Sequence, residues 1–223
     1  MTDIPIPPRV HPKPDIETIG GRPLKPATLM MGHGYDPVLS EGSLKAPIFL
    51  TSTFAFPSAA EGKRFFEGIT GKIPGGTDGL VYSRFNGPNQ QILEGRLAIW
   101  DGAEEALSFS SGMTAICVLF LAPASAGDVI VPKTLSRFGI TYVDFPAGAT
   151  RKELDAVMAK AKAQADSQGG KVAMVYLESP ANPTNALVDV EAVREARDAL
   201  LGSEVPIAID NTFLGPLWQK PLA

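Results

Sequence analysis

The chain has a single cysteine and two histidines in 223 residues. One thiol excludes an internal disulfide, and Cys117, set in the apolar stretch TAICVLFLA, is expected as core filler and not as a nucleophile. His11 and His33 both fall in the loop-like first part, so no zinc spacing and no Ser/His/Asp set emerges, and no metal site is expected. A basic excess is missing too. Against 24 Asp and Glu stand 20 Lys and Arg, a formal net charge of -4 with no basic stripe for nucleic acid or an anionic membrane. The longest apolar stretch, Ala115 to Ala124, is too short to span a bilayer, and the proline-rich start MTDIPIPPRV lacks the apolar run of a signal peptide. These absences point to a cytoplasmic protein whose ligand is small and neutral or zwitterionic.

What the chain does hold is apolar material, 44% of its residues, enough for one large core or two small ones. Prolines and glycines recur through PIPPRVHPKP, IGGRP and TGKIPGGTDG, and no helical period persists there beyond a couple of turns. Residues 1–80 therefore read as an extended arm that leans on something else, for example a partner subunit. From Pro88 onward helices and strands alternate. PNQQILEGRLAIWDG has a helical spacing, EALSF reads as a short strand, and GMTAICVLFLA as a mostly buried helix. DVIVP and ITYVDF are strand-like, RKELDAVMAKAKAQADSQGG is an amphipathic helix closed by glycine, and KVAMVYLE is an apolar strand. Asp189 caps the helix VEAVREARDALLG, and VPIAID follows. Continuous apolar strands separated by amphipathic helices predict an α/β domain over 81–223, a mostly parallel sheet with helices on both faces.

Ligands of such sheets bind beyond the carboxyl ends of the strands. Three of those ends carry chemistry. After EALSF, SSGMTAI leads into a helix whose free N–H groups and dipole favour a phosphate, although Ser-Ser-Gly also starts ordinary helices. After KVAMVYLE, SPANPTN is a polar turn between two prolines; its Asn182 also suits an Asx-type bond to its own backbone. After VPIAI come Asp210, Asn211 and Thr212. Asp210 could accept local backbone N–H groups, but behind an apolar run an ion pair or strong hydrogen bond is the better expectation. Together these ends suggest a ligand with a phosphate at one end and a protonated ring nitrogen at the other, and pyridoxal phosphate has both.

The phrases YSRFNGPNQQILEGRLAIWDGAEEALSFSSGMTAI, ESPANPT and IDNTFLGPLWQKPL, in that order, resemble the cystathionine gamma-synthase and methionine gamma-lyase group, from about Met30 to the C-terminus. The resemblance implies the large domain of a fold type I, pyridoxal-phosphate-dependent enzyme of trans-sulfuration. It implies a transferase or lyase of cysteine and methionine metabolism that carries out gamma-replacement or gamma-elimination on homoserine- or methionine-type substrates. It further implies that Gly112 and Met113 give N–H groups to the phosphate, and that Asn182 lies near the ring hydroxyl. Asp210 would meet the ring nitrogen with Thr212 beside it. Tyr82 and Arg84 would reach the phosphate of a neighbouring subunit in a homotetramer built as a dimer of dimers.

Two departures bear on activity. The family's Schiff-base lysine lies beyond the segment matched by QKPLA, so this sequence contains no residue for that role, and Lys220 matches a position outside the chemistry. A ring-stacking tyrosine is also missing, as though a short stretch had been cut out between Lys133 and Thr134. The chain alone is accordingly expected to be inactive. The other reading is a catalytically incomplete fragment that serves only in binding or oligomerisation.

Overall fold

The computed structural model describes residues 17–75, 79–131 and 139–222. His11, the PIPPRVHPKP segment and the junction of Lys133 with Thr134 lie outside the described residues. The chain divides into two compact units, Met1–Ser108 and Phe109–Ala223.

The first unit opens with a small hairpin. Strands β1 (Thr18–Ile19) and β2 (Arg22–Pro23) pair antiparallel around Gly20 and Gly21, whose φ values of 58° and 74° suit residues without a Cβ. Helix α1 (Pro26–Leu29) and a 3-10 turn at Pro37–Ser40 follow, each starting on proline, where no N–H is needed. Helix α2 (Ala59–Ile69) corrects the expectation of an aperiodic arm. Ser58 caps it by accepting from the N–H of Glu61, and buried Phe65 packs against the rings of Phe56 and Phe66, which drives one face inward. Helix α3 (Pro88–Asp101) forms where its spacing predicts and stops on Gly102 at a φ of 70°.

The expected strand at EALSF does not form. The Ser108 N–H, which a sheet ladder would need, donates instead to Glu94 Oε1 at 2.7 Å, and Leu107 stays exposed.

The second unit is an α/β layer around four parallel strands, with helices on both faces. After helix α4 (Gly112–Leu121) come β3 (Val129–Val131), β4 (Thr141–Tyr142), helix α5 (Arg151–Ser167), β5 (Val172–Glu178), helix α6 (Val190–Leu200), β6 (Ile207–Asp210) and the short α7 (Gly215–Trp218). The sheet order is β4-β3-β5-β6, and Tyr176 lies opposite Ala208 while Glu178 lies opposite Asp210.

Two clusters hold this unit. On one face α5 buries Leu154, Met158, Ala161 and Ala165, a helical spacing, and with Val193 of α6 they pack on Val129, Val175 and Leu177. Full burial of a Leu or Met side chain contributes about 1.5–3 kcal/mol, so this layer carries the domain. Local sequence sets its ends. Thr150 and Glu153 form a capping box on α5, and Asp189 caps α6 by accepting from the N–H of Ala192. On the opposite face Phe120 of α4 packs with Ile130, Ala173 and Met174.

Helix α4 differs from expectation. It is apolar, but only Phe120 is buried; Met113, Val118, Leu119 and Leu121 are exposed, as is Cys117, which is not core filler. The sheet reaches only one side of the helix, so the rest of its apolar surface faces outward.

Candidate functional site

The carboxyl ends of β5 and β6 lie side by side and are tied together: the Ser179 N–H, just past β5, donates to the carbonyl of Asp210 at 3.2 Å. Buried Ser179 also accepts from the N–H of Val188, which fixes the return of the SPANPTN turn. Asp210 is half-buried. Its Oδ1 accepts from the N–H of Thr212 at 3.1 Å and from the Thr212 hydroxyl at 2.5 Å; its Oδ2 accepts from the Tyr176 hydroxyl at 3.2 Å. The local bonds are thus made, whereas no ion pair forms among the described residues and the bond from beyond the loop, to Tyr176, is a long one.

Strand alternation puts Tyr176 and Ala208 in the cluster beneath α4, and the Tyr176 ring meets Phe120 edge-on, with centroids 4.9 Å apart. The hydrogen bond from Tyr176 turns the Asp210 carboxylate toward the same face. Burial, with the charges of Asp210 and Glu178 beside it, raises the Tyr176 phenol well above its ordinary pKa, so it stays a donor at neutral pH. Tyr176 was not singled out from sequence. The available signal was a polar-tipped aromatic two residues before Glu178 in an otherwise apolar strand.

Helix α4 begins on that face. Ser111 caps it by accepting from the N–H of Thr114, at 3.1 Å, and the N–H groups of Gly112 and Met113 belong to the first turn, which has no intrahelical acceptors. A Cβ on Gly112 would meet no atom within 4 Å, so the space over the helix start is open. Asn182 is exposed and its side chain makes no hydrogen bond with the described residues, so the Asx-type bond is not formed. A cavity of about 230 Å³ opens at the strand ends, lined by Asp144, Phe145, Tyr176, Glu178 and Ala181 among others. A larger one, about 440 Å³, lies by Lys171, Val172 and Pro206, at the amino ends of β5 and β6 and away from Asp210.

Tyr82 and Arg84 belong to the first unit. Tyr82 bridges to Thr53, and the Arg84 guanidinium lies 5.7 Å from the Tyr82 ring and 5.1 Å from the Phe85 ring. Arg84 is exposed and has no carboxylate partner among the described residues.

A profile of the Cys/Met metabolism PLP-dependent enzymes matches residues 27–223. The chain belongs to this family. Within the Cys/Met metabolism family it is 33% identical over 204 residues to an L-methionine gamma-lyase of Pseudomonas deceptionensis, covering 88% of this chain and 47% of that protein. It is 34% identical to an O-succinylhomoserine sulfhydrylase of Pseudomonas aeruginosa, covering 82% and 43%. Among solved structures, the metB protein of Corynebacterium glutamicum superposes with a TM-score of 0.69 at 25% identity, over 89% of this chain and 48% of that one. The metY protein of Campylobacter jejuni, whose structure holds N'-pyridoxyl-lysine-5'-monophosphate, shares the fold at a TM-score of 0.71 and 22% identity, over 89% and 47%. The chain spans about half the length of the curated relatives it matches.

The family cofactor is pyridoxal phosphate. The second unit's residues fit it: a carboxylate whose Oδ2 takes a single hydrogen bond from the chain, and an open helix start with two N–H groups on the same face of the sheet. Among the described residues no cluster of three or more His, Cys, Asp or Glu could hold a metal, and no helix is long and apolar enough to cross a membrane.

Proposed function

We propose that this chain supplies the cofactor-binding part of a pyridoxal-phosphate enzyme of trans-sulfuration, acting by gamma-elimination or gamma-replacement on a methionine- or homoserine-type amino acid. One observation carries the reading. The carboxylate that ends β6 faces the side of the sheet on which α4 begins, and Oδ2 keeps an acceptor position open.

Asp210 accepts from the protonated ring nitrogen and holds that proton in place. The Gly112 and Met113 N–H groups, with the positive end of the α4 dipole, bind the phosphate. Asn182, exposed on its turn, is free to meet the ring hydroxyl. When bound, pyridoxal phosphate supplies a protonated ring that draws electrons from the substrate's alpha carbon. Arg84 of one subunit presents a planar fork to the phosphate held by its neighbour, with Tyr82 beside it, which makes the active form a homo-oligomer, a dimer of dimers.

The relatives named above include both a lyase and a sulfhydrylase, so the assay compares 2-oxobutanoate release from methionine with cystathionine formation from an activated homoserine. Visible absorbance from cofactor bound to the chain supports the reading, and either product names the reaction. Absence of cofactor binding overturns it.

A second reading, a binding or oligomerisation module without turnover, is favoured by one observation: the apolar residues Met113, Val118, Leu119 and Leu121 of α4 are exposed. Cofactor absorbance without product, and no lysine labelled by borohydride, would establish that reading in place of the first.

A further inference from the structure

Asp210 receives three hydrogen bonds from its own chain. The N–H and hydroxyl of Thr212 occupy Oδ1, and the Tyr176 hydroxyl occupies one position on Oδ2. An ionised carboxylate offers about four acceptor positions, so a single one is left, on Oδ2. Its direction is set by whatever fixes the other position on that oxygen. Tyr176 is packed on its other side. Its ring packs edge-on against Phe120, the buried residue of α4, at an interplanar angle of 79°. The contact that fixes the phenol is therefore made to the helix whose first turn carries Gly112 and Met113.

We propose that Tyr176 is a positioning residue: by holding Oδ2 it aims the one open acceptor of Asp210 at the protonated ring nitrogen of a ligand whose phosphate sits at the start of α4. This rests on the cofactor reading above. Glu178 stands beside Asp210 in register as a second carboxylate and makes no hydrogen bond to it among the described residues. Thr212 does not substitute for Tyr176, because both of its donors are spent on Oδ1. Without the phenol hydroxyl, Oδ2 is free to take water or to turn.

The test uses the whole 223-residue chain and two measurements. Ultraviolet titration of the four tyrosines without ligand reads the pair itself. One phenol should resist ionisation in the parent protein, Tyr176→Phe should delete that component, and Asp210→Asn should bring it down toward the ordinary range. Equilibrium dialysis then compares pyridoxal phosphate with its deaza analogue, in which carbon replaces the ring nitrogen. Tyr176→Phe should weaken pyridoxal phosphate by about three- to tenfold, the size of one hydrogen bond, while leaving the analogue unchanged. In the Asp210→Asn background the same substitution should change neither.

Equal weakening of both compounds, or no weakening of either, would overturn the positioning role while leaving the cofactor reading intact. If the parent chain binds neither compound, the cofactor reading itself fails and the role falls with it; the titration still reports whether the pair exists.

Discussion

The hydroxyl of Thr212 donates to Oδ1 of Asp210 at 2.5 Å, from a position two residues beyond the strand that delivers the carboxylate. The loop thus completes what the strand begins, since the Thr212 N–H donates to the same oxygen. Replacing Thr212 by Val removes one donor and keeps the other. Pyridoxal phosphate affinity should fall by roughly threefold to tenfold, within the range of a single hydrogen bond, and Thr212→Ser should restore it. Equilibrium dialysis of the three proteins checks this.

Arg84 makes a different contribution. Its guanidinium rests against two rings and lacks a carboxylate partner among the described residues, so its hydrogen-bonding fork is available. Arg84→Ala should weaken cofactor binding about tenfold or more, and Arg84→Lys should recover only part, because a point charge replaces a two-donor fork. If the neighbouring subunit supplies this residue, affinity should also rise with protein concentration, in step with oligomer formed in sedimentation velocity.

The core on the α5 side sets stability. Leu154 is 1% exposed and belongs to one core cluster with Met158 and the sheet residues Val129 and Val175. Leu154→Ala should cost about 2–5 kcal/mol, the usual range for a large-to-small change in a close-packed interior. Urea unfolding followed by circular dichroism measures the loss, and an effect within about 0.5 kcal/mol, the usual range of surface substitutions, would show that this face is not the core.

The α5 capping box gives a pH dependence. The backbone N–H and hydroxyl of Thr150 both donate to Glu153 Oε2 at 2.7 Å, and they hold this carboxyl below its ordinary pKa, the backbone bond first. A depressed folded pKa adds stability above the unfolded value and loses it as pH falls through the folded one. The urea midpoints of the parent and Glu153→Gln should therefore differ at neutral pH and converge in acid. Thr150→Ala, which removes the cap hydroxyl, should cost about 1 kcal/mol.

Much of this was legible in the sequence, and particular residues show why. Strand β5 is an unbroken apolar run and α5 repeats its buried residues at helical spacing, so burial and periodicity agree. Asp189 was readable as a cap because its oxygen serves a backbone N–H three residues away, a local relationship. Local rules fail where distant groups decide. EALSF has strand composition, but its Ser108 N–H is taken by Glu94, fourteen residues earlier in the chain. Helix α4 is apolar throughout, yet composition cannot report that the sheet covers one side only. In α2 the signal was present, Ser58 three residues before Glu61, but glycines and prolines nearby masked it. At the site, Asp210 announced itself as a charge closing an apolar strand. Tyr176 did not, because its meaning depends on a neighbour 34 residues away.

The most direct measurement is the protonation state of the ring nitrogen when pyridoxal phosphate, isotopically labelled at that atom, is bound to the chain and observed by magnetic resonance. The account predicts a protonated nitrogen in the parent protein and an unprotonated one in Asp210→Asn. An unprotonated nitrogen in the parent protein, or the same state in both, would contradict it.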